Sequence, residues 1–239
     1  MAANVDELLE SMDKTHAGTG GSVKGLAYIG RFRGNVAQGY GRGGKKLGVP
    51  TANLPASLFQ DALKDVKPGV YFGWSSIADV GFAYKTVMNV GLSPTFEGQE
   101  NSEKIIEAHL ILDEGETFSD FYGVPLRIQL LGFIRDEKKF GGLEELKSQI
   151  VQDITVARDM LDESPYLELK QDQAIYVEDW IGSDGGDMVA SWEFKPMRSA
   201  IEAVLADKKE QLNAVDAEVE KEAEEVTIVQ PNGVDKIGN

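Results

Sequence analysis

The chain is 239 residues long and 42% of its residues are hydrophobic, which is enough to build a real core. Its 24 basic and 40 acidic residues give a net charge of −16, which would repel nucleic-acid backbones and anionic membranes. The chain has no cysteine, which excludes disulfides, thiolate metal sites and cysteine nucleophiles and fits a reducing compartment. Any anionic ligand therefore needs a local positive patch.

Residues 1–24 are predicted to be an N-terminal extension. Residues 1–14 are acidic, unlike a secretory or transit peptide, and no run in the sequence has the length of a membrane-spanning helix. We therefore expect a protein without a membrane span. Its expected location is the cytoplasm, or the matrix of a plastid or mitochondrion if a targeting peptide has been removed.

A glycine-rich loop, residues 39–48, precedes a rigid strand entrance. The loop contains Gly39, Gly41, Gly43 and Gly44, followed by Lys45. Glycines let the backbone turn at positive φ and expose N–H groups to an anion, and the lysine adds a positive charge beside them. The loop lacks the Gly-x-x-x-x-Gly-Lys-Ser/Thr pattern, and no long helix pattern follows it, so it is not a P-loop. It is a candidate phosphate-binding loop of another kind.

Pro50, Thr51 and Asn53 follow the glycine-rich loop. Pro50 fixes the approach of the chain, and the spacing of Thr51 and Asn53 places both side-chain oxygens on one face of an extended segment. Two oxygens in this arrangement suit a hard cation such as Mg²⁺ that bridges phosphates. From these residues alone, a nucleotide site and a glycine-rich hairpin before an ordinary strand start remain equally open.

Residues 26–134 show short strand patterns broken by glycine, proline and polar clusters, which predicts a compact antiparallel barrel. Residues 105–112 alternate strictly, so that Glu107 and His109 project from one face of a strand. The opposite face carries Ile106, Ala108, Leu110 and Leu112. The segment alone favours an ordinary solvent-facing glutamate over a functional one, and His109 is interpreted as a structural, hydrogen-bonded residue. The side chains predicted to lie in the core include Tyr71, Trp74 and Met88.

The apolar spacing changes to three or four residues over 143–161. Glu144 and Glu145 lie in the first turn and Arg158 near the last, as the helix dipole favours. This pattern predicts an amphipathic helix that packs on the barrel.

The remaining sequence predicts an added hairpin and an acidic helix. Alternation over 173–181 and 188–194 predicts two strands that carry Trp180 and Trp192, so we expect a hairpin and the start of a helix within 164–206. Residues 207–239 are predicted to form an acidic helix and a tail that is exposed to solvent.

Several motifs of the chain occur in one recognisable order. They are Gly-Arg-x-x-x-x-Leu-Gly-x-Pro-Thr-Ala-Asn from residue 41, Lys-Pro-Gly-Val-Tyr from residue 67, Glu-x-His from residue 107, Phe-Tyr-Gly from residue 121 and Ile-Arg-x-Glu-Lys-x-Phe from residue 134. Together they resemble the signatures of the riboflavin kinase (flavokinase) family, in its eukaryotic, monofunctional type. The resemblance covers residues 25–163 and stops there.

The resemblance implies a mainly β fold, namely a six-stranded antiparallel Greek-key barrel followed by a C-terminal amphipathic helix. It implies that the γ-phosphate of ATP is transferred to the 5′-hydroxyl of riboflavin, giving FMN and ADP with the help of Mg²⁺. Motifs of a fused phosphatase or of an FAD-making nucleotidyltransferase are missing from the sequence, so the reaction is expected to end at FMN.

The resemblance also assigns candidate site residues. Glu107 falls on the catalytic glutamate of the family and would accept the proton of the riboflavin hydroxyl. The ATP-binding residues would be Gly39, Gly41, Gly43, Gly44, Lys45 and Thr51, and the metal ligands would be Thr51 and Asn53. Arg135 and Phe140 lie where the family closes over the flavin, although an isolated Arg and Phe would more often form a surface ion pair and a core contact.

The sequence departs from the resembled family at Asn89, and one alternative to an enzyme stays open. Asn89 stands where members of the resembled family commonly carry serine, which bears on substrate fit rather than on activity. The alternative to an enzyme is a flavokinase-like barrel recruited as a non-catalytic binding or structural subunit of a larger assembly. Such a subunit would meet its protein partner through residues 173–225.

Overall fold

The computed structural model describes residues 4–12, 14–15, 22–38, 49–77, 81–92, 104–113, 115–117, 119–176 and 190–228. The strands are β1 (Lys14–Thr15), β2 (Ser22–Asn35), β3 (Ala52–Leu54), β4 (Gly69–Ile77), β5 (Ala83–Leu92), β6 (Lys104–Leu110), β7 (Pro125–Arg135) and β8 (Ser191–Pro196). The helices are α1 (Val5–Glu10), α2 (Gln60–Leu63), α3 (Leu143–Leu161) and α4 (Met197–Ile228). Short 3-10 turns lie at Ala56–Leu58, Glu168–Gln171 and Gln173–Ile175.

The strands form one antiparallel sheet in the order β1-β2-β7-β4-β5-β6-β3, and β8 pairs with β2 off this path. A single bridge between Ala37 and Asn53 joins the chain just after β2 to β3 at the far end of the path, so the sheet curls into a half-barrel. Within the described residues, this path has seven strands instead of the six predicted. One reason is that the two-residue strand β1, which carries no strand pattern, pairs with the start of β2.

The sheet separates two apolar clusters. The inner cluster lies on the concave face and contains Phe32, Leu54, Phe59, Tyr71, Met88, Ile106 and Leu126. The outer cluster lies between the other face and the helices and contains Phe72, Trp74, Leu131, Val156, Met160, Tyr166 and Ile201. The expected core positions of Tyr71, Trp74 and Met88 are confirmed, since each is at most 2% exposed.

Helix α3 confirms the predicted amphipathic helix. It spans Leu143–Leu161 and buries Val156, Ala157, Met160 and Leu161 against the outer face of the sheet. Its C-terminal end is held to the sheet by polar contacts, because Arg158 donates to the Leu112 carbonyl at 2.7 Å.

The first strand of the predicted hairpin, residues 173–181, is wrong over its described part, residues 173–176. Residues 173–175 form a 3-10 turn, and Asp172 accepts from the Ala174 N–H at 3.0 Å and so caps that turn. Strand β8 pairs with β2, where Trp192 lies opposite Phe32. Residues 177–189, which include Trp180, lie outside the described residues.

A buried polar cluster docks this C-terminal region on the barrel. Asp172 accepts from Arg31 of β2 and from Gln129 of β7, the latter at 2.9 Å. Arg31 also pairs with Glu193 of β8 at 2.5 Å. Because a buried charge is costly unless it is paired and hydrogen-bonded, these contacts fix the docked orientation.

Helix α4 is buried near its start and exposed farther along, as far as residue 221. Met197, Ala200, Ile201 and Val204 are buried in the outer cluster, whereas Leu212, Val215 and Val219 are exposed. The protein partner predicted for residues 173–225 stays a prediction. None of the helices in the described ranges combines the length and the apolar character needed to cross a membrane.

Candidate active site

Three polar side chains lie side by side on β3, β6 and β5. In the ladder Asn53 pairs with Glu107, and Glu107 pairs with Asn89. Directly paired residues project to the same face of a sheet, so the three side chains form one row. The row lies on the outer face, because the neighbours Ile106 and Ala108 point into the inner cluster. The alternation predicted for this strand is therefore confirmed.

Glu107 is bound to Thr51. The Thr51 hydroxyl donates to Oε1 of Glu107 at 2.6 Å across 56 positions of the sequence. Because this bond uses the only proton of the hydroxyl, the lone pairs of Thr51 Oγ1 remain for an electropositive ligand. The structure thus brings together two of the residues that the sequence singled out, one as base and one as metal and phosphate ligand.

His109 binds the residue just before Thr51. Its ring Nδ1 lies 2.8 Å from the Pro50 carbonyl oxygen, and since a carbonyl can only accept, the ring donates. Burial lowers the pKa of His109 and the charge of Arg158 lowers it further, while the bond to Pro50 opposes the shift. The net shift is downward, which favours the neutral imidazole at neutral pH. His109 is the hydrogen-bonded residue that its place in the strand predicted.

The described residues on the two sides of the glycine-rich loop lie beside this site. Gly39, Gly41, Gly43, Gly44 and Lys45 lie outside the described residues. The flanks are described: Ala37 donates from its backbone N–H to the Asn53 carbonyl at 2.8 Å. The chain before the loop therefore lies next to β3, the strand that follows the loop.

Arg135 is engaged by a buried carboxylate. Its Nε lies 2.9 Å from Oδ1 of Asp153, and an NH2 group lies 2.7 Å from Oδ2. Asp153 is 3% exposed and also accepts from Gln149 at 2.9 Å. The guanidinium carbon of Arg135 lies 5.9 Å from the ring centroid of Phe140, within reach of a weak cation–π contact.

Arg135 lies on the same strip of sheet as Glu107. Across the ladders Glu107 pairs with Asn89, Asn89 with Val70, and Val70 with Arg135. At about 4.8 Å for each strand spacing, the two backbones are roughly 14 Å apart along the sheet. Between them, Val70 is buried in the outer cluster, so this distance is measured along the sheet and not along an open surface.

The segment after β7 crosses this strip. Oε1 of Glu137 lies 3.4 Å from Nδ2 of Asn89. A Cβ added to Gly91 would stand 2.1 Å from the same oxygen, so the absence of a side chain at Gly91 admits Glu137. Residues 136–140 thus form an edge of the candidate site.

Sequence reasoning missed Asp153 and Glu137. Asp153 had a signal, because it lies three residues after Ile150 and four before Ala157, inside the apolar stripe of α3. A carboxylate in such a stripe is buried and needs a partner. No signal in the sequence indicated Glu137, because its contact with Asn89 depends on how the chain after β7 passes β5.

Comparison with known proteins gives consistent matches. The family model described as Flavokinase: Riboflavin kinase matches residues 26–161. The riboflavin kinase of Mus musculus is 40% identical over 146 residues, which are 61% of this chain and 89% of that protein. A bifunctional riboflavin kinase/FMN phosphatase of Arabidopsis thaliana is 44% identical over 139 residues, 58% of this chain and 35% of that protein.

A solved structure supports the fold. The crystal structure of riboflavin kinase from Trypanosoma brucei matches with a TM-score of 0.52 at 23% identity, covering 71% of this chain and 98% of that one. The fold class predicted from the sequence, a mainly β antiparallel sheet with a C-terminal helix, is thereby confirmed.

Proposed function

This chain belongs to the riboflavin kinase family, and we propose that Glu107, Thr51 and Asn53 carry its reaction, the transfer of the γ-phosphate of ATP to the 5′-hydroxyl of riboflavin. As a family member it is an enzyme, a phosphotransferase with an alcohol acceptor, and its products are FMN and ADP. The observation that carries the assignment is the 2.6 Å bond between Thr51 and Glu107 within the matched region.

Glu107 acts as the general base in this proposal. Thr51 occupies Oε1 of the carboxylate, which leaves Oε2 for the riboflavin hydroxyl. Oε2 takes the proton, the hydroxyl oxygen forms a bond to the γ-phosphorus, and the bond from that phosphorus to the β–γ bridging oxygen breaks, releasing ADP. A positioned base typically contributes about 10²–10⁴-fold to a rate.

The remaining acceleration comes from alignment and charge neutralisation around the phosphates. Lys45 and the amides of the glycine-rich loop would supply part of the positive field. Thr51, three residues after the loop, would contact the phosphates directly.

Thr51 and Asn53 fit a magnesium ion that arrives with ATP. Both offer hard oxygen ligands, and Mg²⁺ usually takes few protein ligands besides substrate phosphates and waters. The described part of the chain contains no group of three or more His, Cys, Asp or Glu side chains that could hold a metal by themselves. When bound, the ion would supply charge neutralisation at the phosphates.

Arg135 and Phe140 are proposed to contact the flavin. The bidentate bond to Asp153 fixes the guanidinium plane, and the 5.9 Å contact places Phe140 beside it. A planar cation and an aromatic ring are both suited to a flat ring system.

The alternative of a non-catalytic subunit would be favoured by loss of the arrangement around Glu107. In the described part of the site, Thr51, Asn53 and Glu107 are all present and adjacent, so we retain the enzyme.

Incubation of the protein with riboflavin, ATP and Mg²⁺, followed by chromatography for FMN, tests the reaction. For Glu107→Gln we expect turnover to fall by about two orders of magnitude or more with both substrates still bound, because the amide keeps the shape and removes the proton acceptor. Glu210→Gln, on the exposed half of α4, is the matched control and should behave as wild type. Turnover of Glu107→Gln within a factor of three of wild type would reject Glu107 as the base.

A further inference from the structure

We propose that His109 is a positioning residue for ATP, holding the Pro50 carbonyl so that Thr51 is presented to the phosphates. The proposal rests on the role given to Thr51 above. His109 and Glu107 are two residues apart on the outer face of β6, and they bind the consecutive residues Pro50 and Thr51 at 2.8 and 2.6 Å. Two side chains of one strand thus hold one short segment.

These two side-chain contacts hold a segment that the sheet ladder does not include, because the ladder of β3 starts at Ala52, after Thr51. Strand β3 begins at Ala52, and its ladder with β6 comprises only the pairs Ala52–Ala108, Asn53–Glu107 and Leu54–Ile106. Pro50 has no N–H to donate, so its carbonyl is the one main-chain group through which a neighbour can hold it. The position of this segment therefore depends on the His109 side chain together with the bond from Thr51 to Glu107.

Loss of the bond would act on Thr51 through one torsion. Proline fixes φ at Pro50, but ψ can rotate, and ψ sets the direction of both the Pro50 carbonyl and the following residue. With the carbonyl held, Thr51 Oγ1 faces Glu107. With the carbonyl released, the bond from Thr51 to Glu107 is the remaining side-chain hydrogen bond, among the described residues, that holds this segment.

A positioning role and a merely structural role predict different kinetics. If His109 only supported the fold, its replacement would lower stability and disturb both substrates alike. If it positions Thr51, its loss raises the KM for ATP and the Mg²⁺ concentration needed for half-maximal rate. Riboflavin affinity would then be unchanged, because the proposed flavin contacts lie on β7 and the segment after it.

Two amide replacements separate these roles. The side-chain N–H of His109→Asn sits close to the position of Nδ1, whereas that of His109→Gln sits close to that of Nε2. We expect His109→Asn to keep the KM for ATP within about threefold of wild type. For His109→Gln we expect a rise of about tenfold, the size of one lost neutral hydrogen bond, with the riboflavin dissociation constant from flavin fluorescence unchanged.

Equal effects of the two replacements, or a parallel loss of riboflavin affinity, would overturn the proposal. The tautomer of the His109 ring in the unaltered protein tests the bond to Pro50 independently of how the variants fold. The chain has only two histidines, so long-range ¹H–¹⁵N spectra are readily assigned with a His16→Gln variant. A proton on Nδ1 supports the proposal and a proton on Nε2 alone overturns it. If the wild-type protein formed no FMN, the proposed function would be rejected. Equal effects of His109→Asn and His109→Gln in an active enzyme would instead reject only the positioning role of His109.

Discussion

Truncation after Glu163 should unfold the protein, whereas truncation after Ala206 should leave it folded and active. The apolar side chains of the region between these points that are buried in the outer cluster include Tyr166, Leu169, Ile175, Met197, Ile201 and Val204, none more than 4% exposed. At about 1.5–3 kcal/mol for each buried side chain, their loss removes roughly 9–18 kcal/mol, an upper bound. A domain has only about 5–15 kcal/mol of net stability.

Truncation after Glu163 also removes polar contacts. The indole N–H of Trp74 donates to the Tyr166 carbonyl at 2.8 Å, and Asp172 is the buried partner of Arg31. Removing one partner of a buried charge pair costs about 3–5 kcal/mol more. Beyond Ala206, in contrast, Leu212, Val215 and Val219 are more than half exposed, so their removal uncovers little apolar surface.

Urea unfolding followed by circular dichroism, with riboflavin phosphorylation measured on the same samples, tests both truncations. In the full chain, Ile201→Ala should cost about 2–5 kcal/mol in the free energy of unfolding. The matched change Val215→Ala should cost less than about 0.5 kcal/mol because the site is exposed. Cooperative unfolding and normal activity of the 1–163 fragment would refute the reasoning and make residues 164–206 a dispensable addition.

Two further predictions concern the ligands. Thr51→Val and Asn53→Leu should each make ATP affinity less responsive to Mg²⁺, because each removes an oxygen with little change in volume; unchanged Mg²⁺ titrations of ATP binding in both variants would place the cation elsewhere. Asp153→Leu should raise the KM for riboflavin more than that for ATP and lower stability by about 3–5 kcal/mol, because it leaves Arg135 without its buried partner. Steady-state kinetics with each substrate varied in turn and urea unfolding check this, and an equal rise in both KM values would argue against a flavin role for Arg135.

Much of the fold followed from local patterns. The strict alternation of residues 105–112 gave the two faces of β6, and the change of period at Leu143 gave α3. Both features depend on side chains within one element, so one sequence contains the signal. The catalytic role proposed for Glu107 came from the resemblance, because a lone glutamate on a strand is usually an exposed residue.

The features that the sequence did not predict depend on partners that are distant in the sequence. Residues 173–176 alternate like a strand, but Ile175 is buried against the sheet and Asp172 caps a turn, so tertiary docking overrides the local pattern. The bond between His109 and Pro50 joins residues 59 apart, and its existence depends on the register of a three-residue strand. The hydrogen bond between Asn89 and Glu137 likewise depends on the path of the chain after β7.

Strand β6 makes catalytic activity a reporter of correct folding. A slip of one residue in its register would turn Glu107 and His109 toward the inner cluster and expose Ile106 and Ala108 on the other side. A carboxylate enclosed among apolar side chains without a partner is costly, so a mispaired chain would be unstable as well as inactive. The alternation of β6 thus requires the same register for a buried core and for a correctly placed Glu107. Specific activity can therefore serve as a measure of the fraction of molecules that have folded in register.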